Sequence, residues 1–90
     1  MNKPLDDELE LFHKTIGFNI KKLREKKGLS QLKLSEEMGY KSVGFIGQAE
    51  IYLGKRHFNL SHLYQLAYIL ECDIEDFFKD VKIPKKDTKL

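Results

Sequence analysis

Ninety residues allow one small domain, whose core can withdraw only about 60–65% of the unfolded chain's surface from water. A hydrophobic content of 41% and a charged content of 33% fit a folded globular chain rather than a disordered one. No apolar run approaches the roughly 20 residues of a membrane span, the acidic start carries no apolar leader segment, and the lone Cys72 cannot form an internal disulfide. These features lead to the expectation of a cytoplasmic protein.

The net charge of +2 is unevenly distributed. Residues 1–13 set Lys3 against Asp6, Asp7, Glu8 and Glu10, giving −3. Residues 14–59 carry ten Lys and Arg against four Glu, giving +6. Residues 60–78 are −4, and residues 79–90 are +3. A chain divided this way can offer a positive face to a polyanion while staying nearly neutral. Such runs also occur as plain solvated helix faces.

Five helical patterns appear and no strand pattern. Leu9, Phe12, Ile16, Ile20 and Leu23 recur at spacings of three and four and predict a first helix over about Asp7–Lys27. Asp7 and Glu10 have capping-box spacing, and Gly28 stands at a C-terminal cap. Gly17 weakens the middle, so a start at Thr15 after a separate N-terminal turn is the other reading. Ser30 caps a second helix, Gln31 to Met38, which Gly39 stops. Ser42 is placed as the cap of a third, with Ile46 and Ala49 inward. A fourth follows Asn59 or Ser61 and runs to Leu70, and Asp73 caps a short fifth, Ile74 to Phe78. The division expected is an N-terminal extension at 1–14, a helical domain at 15–79 and a basic flexible tail at 80–90.

Ser30-Gln31, Leu34-Ser35 and Gly39, then Ile46, Ala49-Glu50 and Gly54-Lys55-Arg56, resemble the phage-repressor (XRE/Cro-type) helix-turn-helix family. Leu60 to Phe78 resembles that family's fourth and fifth helices, so the likeness covers about Ile16 to Phe78. It implies a compact, all-α, five-helix, lambda-repressor-like fold, with the helix-turn-helix at helices two and three. It also implies an ion pair between Arg24 and Glu50. Two departures stand out: one residue more than usual between Gly39 and Ile46, and two more between Glu50 and Gly54.

The resemblance further implies a sequence-specific regulator of double-stranded DNA, a repressor acting as a homodimer on a near-palindromic operator. Carried over by position, the base-facing residues are Ser42, Val43, Gly44 and Gln48. A Gln amide at 48 can bond adenine N6 and N7 together, Val43 can touch a thymine methyl, and Ser42 can bond a base or a phosphate. Lys41 meets a phosphate or a guanine. Gln31, Lys33, Lys55 and Arg56 are placed on the phosphate backbone. Gly44 and Gly47 read nothing. They either let the backbone approach the groove or let Phe45 turn toward protein.

Tyr68, Ile74, Phe77 and Phe78, with Tyr64, are the residues proposed for a two-fold interface. Their other reading is closure of the monomer core. His13, His57, His62 and Cys72 match no zinc spacing, and neither a phosphate loop nor a nucleophile elbow is present. Neither an enzyme nor a cofactor or metal is expected. The alternative function is a helix-turn-helix scaffold used to dock a protein partner, for example a toxin to be neutralised, through Phe45, Ile51, Tyr52 and Leu53.

Overall fold

A computed structural model of the chain describes residues 5–86. Helix α1 spans Asp6–Lys26, α2 Gln31–Glu37, α3 Gly44–Ile51 and α4 Leu60–Leu70. Short 3₁₀ segments cover Leu53–Lys55 and Ile74–Phe78. Among the described residues there is no strand, and the fold is all-α.

The five-helix expectation is met only in part: the described residues form four α-helices plus 3₁₀ turns. Ile74–Phe78 turns through three-residue bonds, such as Asp76 N–H to the Asp73 carbonyl at 2.9 Å, rather than the four-residue bonds of an α-helix. Asp76 in turn accepts the Asp73 N–H at 3.1 Å.

Helix α1 is continuous through Gly17. Its start corrects the expected Asp7 cap: Leu5 is the cap residue, in the left-handed region, and Asp7 lies inside the first turn, where its charge suits the helix dipole. Of the predicted stripe, Ile16 and Ile20 are buried and Phe12 and Leu23 partly so, while Leu9 remains exposed.

Two helix ends use the same device. Gly28 and Gly39 take φ of +79° and +85°. Leu29 N–H then reaches the Arg24 carbonyl at 3.0 Å, and Tyr40 N–H reaches the Ser35 carbonyl at 2.9 Å, satisfying carbonyls the helices leave open. Ser30 caps α2 by accepting the Lys33 N–H at 3.0 Å.

The core joins Ile16 and Ile20 of α1, Leu34 of α2, Ile46 and Ala49 of α3, Leu63, Leu66 and Leu70 of α4, Phe58 from the segment before α4, and Phe77. Asn19 of α1 fastens the C-terminal segment by donating to the Phe77 and Lys79 carbonyls at 2.9 and 2.8 Å. Val81 packs partly against this core. Of the tail expected over 80–90, residues 82–86 are exposed and have no regular structure, and residues 87–90 lie outside the described residues.

Candidate nucleic-acid interface

Helix α3 is held by a polar knot. Arg24 Nε donates to Glu50 Oε2 at 2.7 Å, and Arg24 Nη2 donates to Glu50 Oε1 at 3.1 Å. Gln31 Nε2 adds a bond to the same Oε1 at 2.9 Å. Arg24 Nη1 donates to the Leu29 carbonyl at 2.8 Å. Helices α1, α2 and α3 therefore meet at one carboxylate, and the same guanidinium ties in the α1–α2 turn. Arg24 is 6% exposed and Glu50 2%. Charges this deep persist only when paired and hydrogen-bonded, and here every bond is directional.

The knot alters the role expected of Gln31. Its amide faces Glu50 rather than standing free at the helix start, so it fixes α3 from within. Gly47 makes room for it: a Cβ there would lie 3.3 Å from Gln31 Oε1.

The longer α2–α3 turn moves the start of α3. Ser42 does not cap it. Val43 is the cap residue, its carbonyl accepting the Gly47 N–H at 3.0 Å, and no side chain caps it among the described residues. Lys41, Ser42 and Val43 thus project from the turn, and Gly44 is the first helical residue. All four are exposed, and Gln48 is half-exposed one turn later. Lys33 on α2 is exposed, as are Lys55 and Arg56 beyond α3.

The added residues after Glu50 do not extend α3 far. It ends at Ile51, and Tyr52 takes a left-handed φ of 59°. Gly54 and Lys55 follow at 61° and 63°. This tight coil presents Lys55 and Arg56.

Phe45 turns toward protein. Its ring lies 5.5 Å from Tyr40, 5.7 Å from Phe58 edge-on, and 4.8 Å from His62. It is thereby withdrawn from the docking surface of the alternative reading, and Tyr52, stacked on His13 at 5.3 Å, is half-buried too. Ile51 and Leu53 remain exposed.

His62 links this cluster to α4. Its Nδ1 accepts the Asn59 N–H at 3.0 Å, while Asn59 Oδ1 accepts the His62 N–H at 2.9 Å, a reciprocal cap. The ring is therefore the neutral tautomer with its proton on Nε2, which donates to the Tyr40 hydroxyl at 2.8 Å. Burial, and secondarily His57, hold its pKa below the ordinary histidine value. Asn59–His62 has the spacing of a capping box, but a His at the third position carries no such signal from sequence.

Of the residues expected at a dimer face, Phe77 is withdrawn: it is fully buried in the core, where it closes the monomer. Phe78 is half-buried, 6.4 Å from Phe12. Tyr64 and Tyr68 are 77% and 84% exposed on α4, and Ile74 lies beside them around a shallow apolar groove with Met38 and Cys72.

Sequence reasoning missed Phe58, a core residue, and Gly17, whose role depends on a contact with distant α3. Among the described residues, no group of three or more His, Cys, Asp or Glu side chains is placed to hold a metal ion. No helix among them is long and apolar enough to cross a membrane.

The model of the helix-turn-helix family matches residues 20–77, from the middle of α1 to the last buried aromatic. The chain belongs to the XRE-type helix-turn-helix family. The match spans both helices of the motif, the polar knot and all of α4. Membership makes this XRE-type domain a DNA-binding regulator. No curated protein matches the chain. The fourteen residues of α1 before the matched region, Asp6 to Asn19, include His13.

Proposed function

We propose that this XRE-type protein is a repressor that binds a near-palindromic operator as a homodimer, in the cytoplasm and without catalytic activity. The observation that carries the reading is the row of exposed Lys41, Ser42, Val43 and Gly44 with half-exposed Gln48, at the front of a helix whose rear is locked by Arg24, Gln31 and Glu50. A rigid helix with a free leading edge is what groove insertion requires. Lys33, Lys55 and Arg56 supply charge for phosphates on either side of it.

The direct code is sparse. Gln48, half-exposed, is the one side-chain amide of α3, Ser42 and Lys41 add adaptable polar groups, and Gly44 offers only backbone. Groove shape and phosphate contacts therefore supply much of the specificity.

The homodimer is supported by Tyr64, Tyr68 and Ile74, large side chains left in solvent around one groove. A two-fold axis there would set two recognition helices about one DNA turn, ~34 Å, apart. The test is binding of the purified protein to operator-length duplexes selected from random sequence. A selected site with two-fold symmetry, and loss of its preference in Gln48→Ala, is the expected result. Selection of no consensus would refute the reading and favour the protein-docking alternative, for which Ile51 and Leu53 remain exposed.

A further inference from the structure

His13 lies on the part of α1 that precedes the matched helix-turn-helix region, yet its ring packs against the segment that follows α3. The His13 and His57 rings stack with centroids 4.1 Å apart and planes at 29°, and His13 stacks on Tyr52 at 5.3 Å and 14°. Tyr52 and His57 are 6.2 Å apart, so the three rings form one cluster.

This cluster covers an unusual backbone. Tyr52, Gly54 and Lys55 all adopt left-handed φ, two of them without the freedom of glycine. Such residues persist only where their surroundings over-determine them. Some of the hold is local: Lys55 N–H to the Tyr52 carbonyl at 3.2 Å, Arg56 N–H to the Leu53 carbonyl at 3.1 Å, and His57 Nδ1–H to the Lys55 carbonyl at 2.9 Å. The His13 stack ties the coil to α1.

We propose that His13 is a positioning residue for DNA binding: through Tyr52 and His57 it holds Lys55 and Arg56 in the conformation that meets the DNA backbone, and it releases them when both imidazoles of the stack are protonated. The positioning role rests on the DNA-binding reading; the latch itself does not.

Two cations stacked this closely repel, so the pair takes up its second proton only at the expense of the stack. The surrounding groups reinforce this. From α1, Glu10 faces the coil but is already paired with Lys14 at 2.8 Å, and it also feels Lys55. The coil itself brings the cations Lys55 and Arg56 and the phenol of Tyr52. From α4, His62 lies within electrostatic range of His57. Burial first, and then His57, already hold the His13 pKa below its ordinary value.

The test is an NMR titration of the full chain from about pH 8 to about pH 5, across the ordinary histidine range. It follows the His13 and His57 ring signals and the backbone amides of residues 52–57. In the wild type the coil amides move with the His13 midpoint, which lies below the ordinary value. His57→Gln raises that midpoint. His13→Phe keeps a flat ring but takes no proton, so the coil amides lose the step at the His13 midpoint. A His13 midpoint indifferent to His57→Gln, or coil amides indifferent to His13, overturns the latch. None of these readouts needs DNA, so failure to bind DNA leaves them standing. A DNA arm separates the positioning role: affinity falls on acidification in the wild type and stays flatter in His13→Phe. A rise in wild-type affinity on acidification would make the histidines mere extra cations and overturn the proposal.

Discussion

Gly17 of α1 and Glu50 of α3 meet backbone to backbone: a Cβ on Gly17 would lie 2.5 Å from the Glu50 carbonyl oxygen and 2.7 Å from that of Ala49. The same Glu50 receives Arg24 and Gln31 on its carboxylate. One residue of the recognition helix is thus clasped at both ends, by the absence of a side chain on one turn of α1 and by a guanidinium two turns later.

Gly17→Ala should destabilise the fold by about 1–3 kcal/mol, because the obstructing atoms are backbone and cannot rotate away. Helix propensity alone would have favoured the change by about 1 kcal/mol. Gly44→Ala offers the contrast. Its nearest neighbour would be Ser42 Oγ at 3.8 Å, so propensity should win and stabilise by up to about 1 kcal/mol. Urea denaturation midpoints of the two variants should move in opposite directions; movement of both upward would contradict the close crossing.

Glu50→Ala should cost about 3–5 kcal/mol, most of it from leaving Arg24 charged and buried without its partner. Arg24→Met combined with Glu50→Leu should recover much of that loss, since two apolar side chains strand no charge. Gln31→Ala removes a single bond to the carboxylate and should cost about 1–3 kcal/mol. A double-mutant cycle by urea denaturation measures the coupling, and additive single losses would show the pair to be idle.

Much of this fold was legible because its signals are local. Ser30 followed by the Gln31–Glu37 pattern, and Gly28 and Gly39 at helix ends, declare themselves from neighbouring residues. The Arg24 and Glu50 side chains were expected to meet through resemblance, and the structure places them together. What escaped depends on tertiary contact. Gly17 looks like a weak point until α3 is laid against it. Phe77 and Tyr68 read alike as late aromatics, yet one is wholly buried and the other almost bare. Gln31 looked free for phosphate, and only the position of Glu50 shows it engaged. Ser42 is a good cap residue by type, but the extra turn residue passes that position to Val43.

Stability should fall on acidification below about pH 6.5. His62 and His13 both have pKa values lowered in the folded state, chiefly by burial. The unfolded chain therefore binds protons first as pH falls. The stabilisation is complete above the unfolded value and is lost as pH drops through the folded ones. For His62 the mechanism is explicit: a proton on Nδ1 breaks the bond from Asn59 N–H that closes the α4 cap. Urea midpoints at about pH 7.5 and pH 5.5 should differ in the wild type and differ less in His62→Gln. Equal midpoints in the wild type would count against it.

The two late aromatics separate folding from assembly. Phe77→Ala should unfold the domain or cost about 3–5 kcal/mol, as for any large core truncation. Tyr68→Glu should leave the circular dichroism spectrum intact and yield monomers in sedimentation. Dimers that survive Tyr68→Glu and Tyr64→Glu together would place the interface elsewhere.

Binding of the protein to fragments of its source genome across a salt series shows whether the leading edge of α3 reads DNA. One or a few fragments should be bound tightly at physiological salt. Arg56→Ala should weaken binding to all fragments alike and reduce the salt slope by about one charge, while Gln48→Ala should erase the preference with the slope unchanged. Equal, weak binding to every fragment that vanishes as salt rises, with Gln48→Ala indistinguishable from wild type, would contradict it.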